Sequence, residues 1–427
     1  MPSPLAITQA EDTGVPIVVQ SHLRWDFVWQ RPQQILSRVS ERQRVLFIEE
    51  PIYLDDVRTP SLTLTLPMPH VYRAVPMLPS ALRDRYDESI AVVRQLVRAE
   101  MAPGRPLAGL FDRPIQWFYT PMPAPAMIGA FDERAIVYDC MDELSKFRFA
   151  PTALVDRERL LIASANVVFT GGYRLSQSKR KLHDNVHFFG CGVDVEHFAQ
   201  ARDRALPVPQ TIAALGTRVM GYYGVIDERI DYELLAKLAA AYPDAALVMI
   251  GPVVKVDPRE LPQAPNIHWL GQRQYDELPA HLKGFDVCLM PFALNEATEF
   301  INPTKTLEYM AAAKPVVSTA ISDVLHHFAD AAEVGMSHDE FIAAVGRALD
   351  QPDAERIARG LTMACNTTWD RVVASMMRIV REAMHAREAR ATRVAAAAEL
   401  LATGTNGRRG ARSPRLGLMT AGEGSGD

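Results

Sequence analysis

The 427-residue chain has only four cysteines, Cys140, Cys191, Cys288 and Cys365, and none belongs to a CxxC pair. That spacing gives neither a zinc motif nor a disulfide framework, so all four are expected as reduced core thiols of a cytoplasmic protein. No run is apolar for long enough to span a bilayer. The opening MPSPLAITQAEDTG lacks a basic region followed by an apolar one, so no secretory leader is expected. Basic charge is not in excess. The formal net charge is −5, which argues against general nucleic-acid binding. The histidines form no HxH pair, and the one HxxxH spacing, His183 to His187, runs into the VHFFG strand pattern instead of along one helix face, so no metal site is expected. No GxGxxG follows the first strand pattern, which removes a simple dinucleotide dehydrogenase. What is present is 48% apolar and 23% charged, a globular profile in a chain long enough for two domains.

Strand and helix patterns alternate along most of the chain. VPIVV (15–19), VLFIEE (45–50), IQWFYT (115–120), AIVYDC (135–140), NVVFT (166–170) and VHFFG (186–190) read as strands. Helices are expected from Pro32, around 153–164 and over 173–182. The Pro-rich stretch 51–80 fits no element. The pattern fails between Phe198 and Thr217, then restarts with VMGYYG (219–224), ALVMIGP (246–252), NIHWLG (266–271), DVCLMPF (286–292) and PVVST (315–319). This predicts an α/β protein of two doubly wound, Rossmann-like parallel-sheet domains facing a cleft. The expected division is 1–198 for the first domain, 199–217 for a linker and 218–365 for the second. A helix over 366–390 would pack back on the first domain, and the Gly- and Arg-rich tail 403–427 would be disordered.

The stretch INPTKTLEYMAAAKPVVST (301–319) carries the clearest chemistry. Ligands of parallel sheets bind at the carboxyl ends of strands, where helices begin. Asn302-Pro303 makes a turn, Thr304 can cap the helix or contact an oxygen, and Lys305 adds a cation. Glu308 lies one turn further on the same face. Placed there, it can accept hydrogen bonds from the vicinal hydroxyls of a ribose while the helix start holds phosphate. A plain capped helix with one exposed glutamate is the competing reading.

Several ordered motifs decide between these. FGCGVDVEHF (189–198) resembles the "NGVD…F" element of glycosyltransferase family 4. The glycine turn at 219–224, Gly251-Pro252, WLGQRQYDEL (269–278) and TLEYMAAAKPVVST follow the order of that family's donor domain. SHLRWDFVWQRPQQIL (21–36) resembles the opening of a bacterial subfamily found in polysaccharide synthesis. The resemblance spans about residues 17–385. It implies a retaining GT-B enzyme that takes a nucleotide-sugar donor, a UDP-sugar first, and a glycan or lipid-linked acceptor. No cofactor or metal is implied, and peripheral contact with the inner membrane face is left open. Glu308 aligns with the family's ribose-binding glutamate. Asn302, Thr304 and Lys305 fall at the diphosphate or sugar, Gly224 and Gly251 at the glycine turns, and Gly271 and Arg273 at the base. Arg229 is the candidate for the basic residue after the glycine turn. Phe300 occupies the position of the family's first glutamate, with Glu299 and Glu296 nearby. Asp142 matches the family's aspartate after the fourth strand, where Met141 replaces a histidine.

In the loop 21–31, Trp25 and Trp29 can stack on an acceptor, His22 can contact the reacting centre, and Asp26 can orient the acceptor. Arg31 can meet an acceptor phosphate or form a salt bridge. The basic run KRKLH (179–183) can touch anionic lipid or be a solvated helix face. Two other functions compete: a nucleotide-sugar 2-epimerase of the same fold, and a nucleotide-sugar-binding protein with impaired catalysis.

Overall fold

The computed structural model describes residues 14–406, apart from 148–149, 217 and 296–297, and only the backbone over 397–406. Two sheets organise it. The first contains β1 (Gly14–Ser21), β2 (Gln43–Glu49), β3 (Ile52–Leu54), β4 (Ser61–Met68), β5 (Val71–Pro79), β6 (Ile115–Phe118), β7 (Ala135–Cys140), β8 (Val167–Thr170) and β9 (Val186–Phe188). Its order is β3-β5-β2-β1-β6-β7-β8-β9, with β4 on the edge beside β5. All its pairings are parallel except β4 with β5. The second sheet contains β10 (Val219–Tyr223), β11 (Ala246–Ile250), β12 (Ile267–Gly271), β13 (Val287–Met290), β14 (Val316–Thr319) and β15 (Glu333–Gly335). Its order is β12-β11-β10-β13-β14-β15, and it is wholly parallel.

The strand sequences explain both sheets. Side chains alternate between faces, and a parallel sheet is covered on both, so its strands are apolar throughout. In β1, Ile17 and Val19 point into one core and Val18 into the other. In β2, Val45 and Phe47 oppose Leu46 and Ile48 in the same way. Each sheet reverses its strand order once, at β1/β6 and at β10/β13. The crevice at such a reversal, beyond the carboxyl ends, is where a doubly wound sheet binds ligands.

Three departures from expectation have physical causes. Residues 51–80 are β3, β4 and β5. The SLTLTL alternation of β4 marks a half-exposed edge strand, where Pro67 is tolerated because no central ladder needs its N–H. The stretch expected as a linker is folded: Ala201 and Ile212 are buried in the second core, together with Val193 and Phe198 from the expected first domain. The final helix spans Trp369–Asn406, through the start of the expected tail, and 407–427 lie outside the described residues. Its Trp369, Val373, Met376 and Val380 are buried in the first domain's core. The chain thus crosses between the domains twice. The crossings lie side by side, with the Val193 N–H donating to Thr367 O at 2.9 Å and the Trp369 N–H to Val193 O at 3.3 Å. Cys140, Cys191 and Cys288 are buried, whereas Cys365 is exposed, so only three of the thiols belong to the core.

Candidate active site

The carboxyl edges of both sheets meet at a cavity of about 480 Å³ between the domains. The second domain supplies two glycine turns. Gly224 ends β10 at φ +146° and Gly251 ends β11 at φ +150°, backbone that favours glycine. A Cβ on Gly251 would come within 1.8 Å of Gly224 O, and one on Gly224 within 2.6 Å of Lys305 Cε. The backbone is therefore bare at these turns, and the lysine stem lies across the first of them.

Opposite the turns is the short helix Lys305–Ala311. Its leading N–H groups, on Thr304 and Lys305, donate to no protein acceptor among the described residues. Thr304 itself has helical backbone angles and makes no side-chain cap; its hydroxyl accepts from Lys305 Nζ at 3.3 Å. Glu308 lines the cavity one turn on. One of its oxygens accepts from the Tyr223 hydroxyl at 2.8 Å, and the other has no hydrogen bond among the described residues. Burial pushes the Glu308 carboxyl above the usual range, while Lys305 and the Tyr223 hydroxyl pull it down. Burial also lowers the Lys305 ammonium, against the attraction of Glu308. A half-buried cation, free N–H groups and a carboxylate with one free oxygen thus share one wall.

Arg229 stands on the same side with its guanidinium largely committed. It donates to both oxygens of Asp227 at 2.8–3.1 Å. Burial works against its charge, but Asp227 more than compensates and keeps it firmly protonated. From the first domain, Asp142 lines the cavity, and its carboxylate makes no hydrogen bond or ion pair among the described residues. Burial raises its pKa; Arg229 and Arg31 act in the opposite direction. Gly271 ends β12 at φ +69°, and Arg273 beyond it lines the cavity with its guanidinium on the Gln272 carbonyl at 2.9 Å.

Comparison with known proteins places this geometry. Residues 219–351 match the family model described as Glycosyl transferases group 1. The structure described as trehalose-6-phosphate from E. coli bound with UDP-2-fluoro glucose superposes with TM-score 0.63 at 15% identity, covering 86% of this chain and 99% of that one. Sucrose-phosphate synthase from Thermosynechococcus elongatus gives 0.62 at 14%, over 87% and 100%. Anabaena Alr3699/HepE in complex with UDP and glucose gives 0.62 at 13%, over 86% and 100%. The chain has the GT-B fold. TuaH of Bacillus subtilis (strain 168), named for glycosyl transfer in teichuronic acid biosynthesis, is 26% identical over 229 residues, 49% of this chain. The match spans 56% of TuaH, so the chain covers little more than half of that relative.

Trp25, Asp26, Trp29 and Arg31 also line the GT-B cavity, but most of their polar or ring surface is held by protein partners. Arg31 is 2% exposed and clamps the buried Asp139 through Nε and Nη2 at 2.9–3.2 Å, with Nη1 on the Phe189 carbonyl at 2.8 Å. Of its two readings, a salt bridge holds, and it is internal, not on the surface. Trp25 is 5% exposed and packs edge-on against Phe47 at 5.1 Å, so it offers the cavity little of its ring. Its backbone N–H donates to Glu49 at 2.9 Å, and Glu49 also binds Arg24 and Arg73. Asp26 is exposed and ion-paired with Arg73. Trp29 keeps 37% of its surface and leans on Tyr275 of the second domain at 6.1 Å. His22 is not among the cavity-lining residues; burial, helped by the charge of Lys255, lowers its pKa to about 4, and its buried Nδ1 has no hydrogen-bond partner among the described residues.

The segment 299–302 joins the GT-B domains. Glu299 pairs with Arg174 of the first domain and is not among the residues lining the cavity. Phe300 packs on the first domain's core, with its carbonyl pressed against Gly172. Asn302 lines the cavity, but its amide is used: Oδ1 accepts the Cys191 N–H at 3.2 Å and Nδ2 donates to Asp323 at 2.8 Å. Glu296 lies outside the described residues. In the KRKLH run, Lys179 is buried between Glu143 and Glu158 at 2.8 Å each, so it is not part of a solvated basic face. No helix of the described residues is long and apolar enough to cross a membrane, and no group of three His, Cys, Asp or Glu among them is placed to hold a metal ion.

Sequence reasoning did not find Tyr223, Asp227 or Tyr275. Tyr223 and Asp227 directly flank the glycine turn that was found, and Tyr275 lies in the quoted WLGQRQYDEL. Each acquires its role from a residue distant in sequence or from a neighbour's charge.

Proposed function

We propose that the protein is a retaining glycosyltransferase. It moves a sugar from a nucleoside diphosphate sugar, a UDP-sugar first, to a glycan or lipid-linked acceptor in cell-surface or exopolysaccharide synthesis. The carrying observation is Glu308: a carboxylate with one oxygen held by Tyr223 and the other free, one turn behind Lys305 and two free N–H groups. Diphosphate at the helix start and ribose hydroxyls on Glu308 fit that order of charges. The TuaH match and neighbours solved with UDP or a UDP-sugar analogue support the same reading.

In the reaction the anomeric carbon–oxygen bond to the diphosphate breaks and a bond to the acceptor oxygen forms on the same face. The acceptor proton passes to the departing phosphate oxygen. Lys305, Arg229 and the helix N–H groups stabilise the charge that develops there, which is the work preorganised donors and cations do best. These cations serve where other transferases use a metal, so transfer is expected to persist in EDTA. Asp142 orients the acceptor hydroxyl from the opposite wall. Closure of the domains keeps water from the donor.

The test is a thermal-shift screen of UDP-, GDP- and ADP-sugars, since ligands selective for the folded state raise its melting point. Transfer to an acceptor panel follows, with the product anomer read by NMR. A UDP-sugar should raise the melting temperature and yield a product of retained configuration. Absence of any nucleotide shift, or an inverted product, defeats the reading. Donor conversion without acceptor marks a 2-epimerase, and binding without turnover marks an impaired binding protein.

A further inference from the structure

A second cavity, of about 750 Å³, adjoins the first. Trp29, Gln34, Gln274 and Tyr275 line both and form the partition between them. A 3.1 Å hydrogen bond from Gln34 Nε2 to the Tyr275 hydroxyl ties it together. The groove runs from there down the helix Arg31–Val39 to Met68, Pro69 and His70. Its charge is one-sided. Glu41, Asp194, Asp276 and Asp370 face it, against the single guanidinium of Arg38 and the imidazoles of His70 and His197, the latter hydrogen-bonded to the Tyr275 carbonyl. Arg38 is already paired with Asp370 at 2.8 Å and lies 3.8 Å from Asp194. The side chains of Glu41 and Asp276, one from each domain, make no hydrogen bond or ion pair among the described residues.

We propose that this groove binds the neutral saccharide units of an acceptor chain beyond the unit that reacts. The inference rests on the glycosyltransferase reading above. Carboxylates accept hydrogen bonds and cannot donate them, so they suit hydroxyl-rich ligands and repel phosphates or uronates at this range. The exposed face of Trp29, with Met68 and Pro69, supplies apolar surface for the C–H face of a sugar ring. A nucleotide would meet four carboxylates and no free cation, so the groove is not a second donor site. Its position beside Trp29 lets a chain leave the reaction cavity over the indole edge while touching both domains.

The test uses the full chain on an array of neutral and acidic bacterial glycans. It compares wild type with a Glu41→Lys/Asp276→Lys double variant, both changes lying outside the donor site. Wild type should retain neutral glycans, and the variant should bind them roughly tenfold or more weakly, as expected when charged hydrogen bonds are lost. UDP-sugar thermal shifts should be equal in the two proteins. Binding of acidic glycans only, no glycan binding, or equal binding by both proteins overturns the proposal. Loss of the UDP-sugar shift in wild type alongside intact glycan binding would instead remove the donor assignment and leave the groove standing.

Discussion

The loop from His22 to Arg31 and the segment from Ile301 to Glu308 follow strands on opposite flanks of the strand-order reversal in their sheets, β1 and β13. Each follows a strand at the carboxyl edge and leads into a helix. Their charged side chains are used in opposite ways. In the first, Arg31 is spent on Asp139 and Asp26 on Arg73. In the second, Lys305 and one oxygen of Glu308 are left without an acid–base partner in contact. Position in the fold brings a residue to a cleft, but what it can do there depends on whether a neighbour has already satisfied it. Charged groups that leave water are expensive unless paired. The unpaired ones in the second segment are therefore the better sign of a ligand.

Substitutions can break this contrast. The largest effect is expected at Arg31. Arg31→Ala leaves the Asp139 carboxylate buried and unpaired, a loss of about 3–5 kcal/mol of stability. Denaturant unfolding should show this, and a near-normal midpoint would mean that Arg31 is not the clamp. Glu308→Ala should instead leave the midpoint almost unchanged and weaken UDP binding by about 1.5–3 kcal/mol, the worth of charged hydrogen bonds. Equal affinity by calorimetry would sink the ribose assignment.

The pH dependence sharpens the same point. Burial raises the Glu308 carboxyl, so UDP affinity should fall on acidification already above the ordinary glutamate range. Burial lowers the Lys305 ammonium, so an alkaline loss should begin below the ordinary lysine range. Glu308→Gln should abolish the acid limb alone; an acid limb that survives belongs to another group. The smallest effect is expected at Asp26, whose exposed pair with Arg73 is worth about 0–1 kcal/mol. Asp26→Asn should alter the melting temperature little, and a large shift would place that pair among the structural clamps.

The two sheets were legible because buried parallel strands are continuous apolar runs such as VPIVV and ALVMI. β3 to β5 were not, because prolines masked an edge hairpin whose alternation is only half buried. Within the site, Lys305 and Glu308 were readable from a one-turn spacing on a single helix. The commitments of Asn302 to Asp323 and of Glu299 to Arg174 join residues from separate elements, and no local pattern announces them. Likewise, the aromatic alternation of the first loop could not show that Trp25 turns inward to Phe47 while Trp29 stays at the surface.

The return of the last helix to the first domain has a consequence for synthesis on the ribosome. One face of the first sheet is incomplete until Trp369, Met376 and Val380 have emerged, and by then the whole second domain has been made. The later domain can therefore finish folding before the earlier one, reversing the usual amino-to-carboxyl order. Release of a nascent chain that stops near Gly192 would leave that bare apolar face open to chaperones or to its own kind.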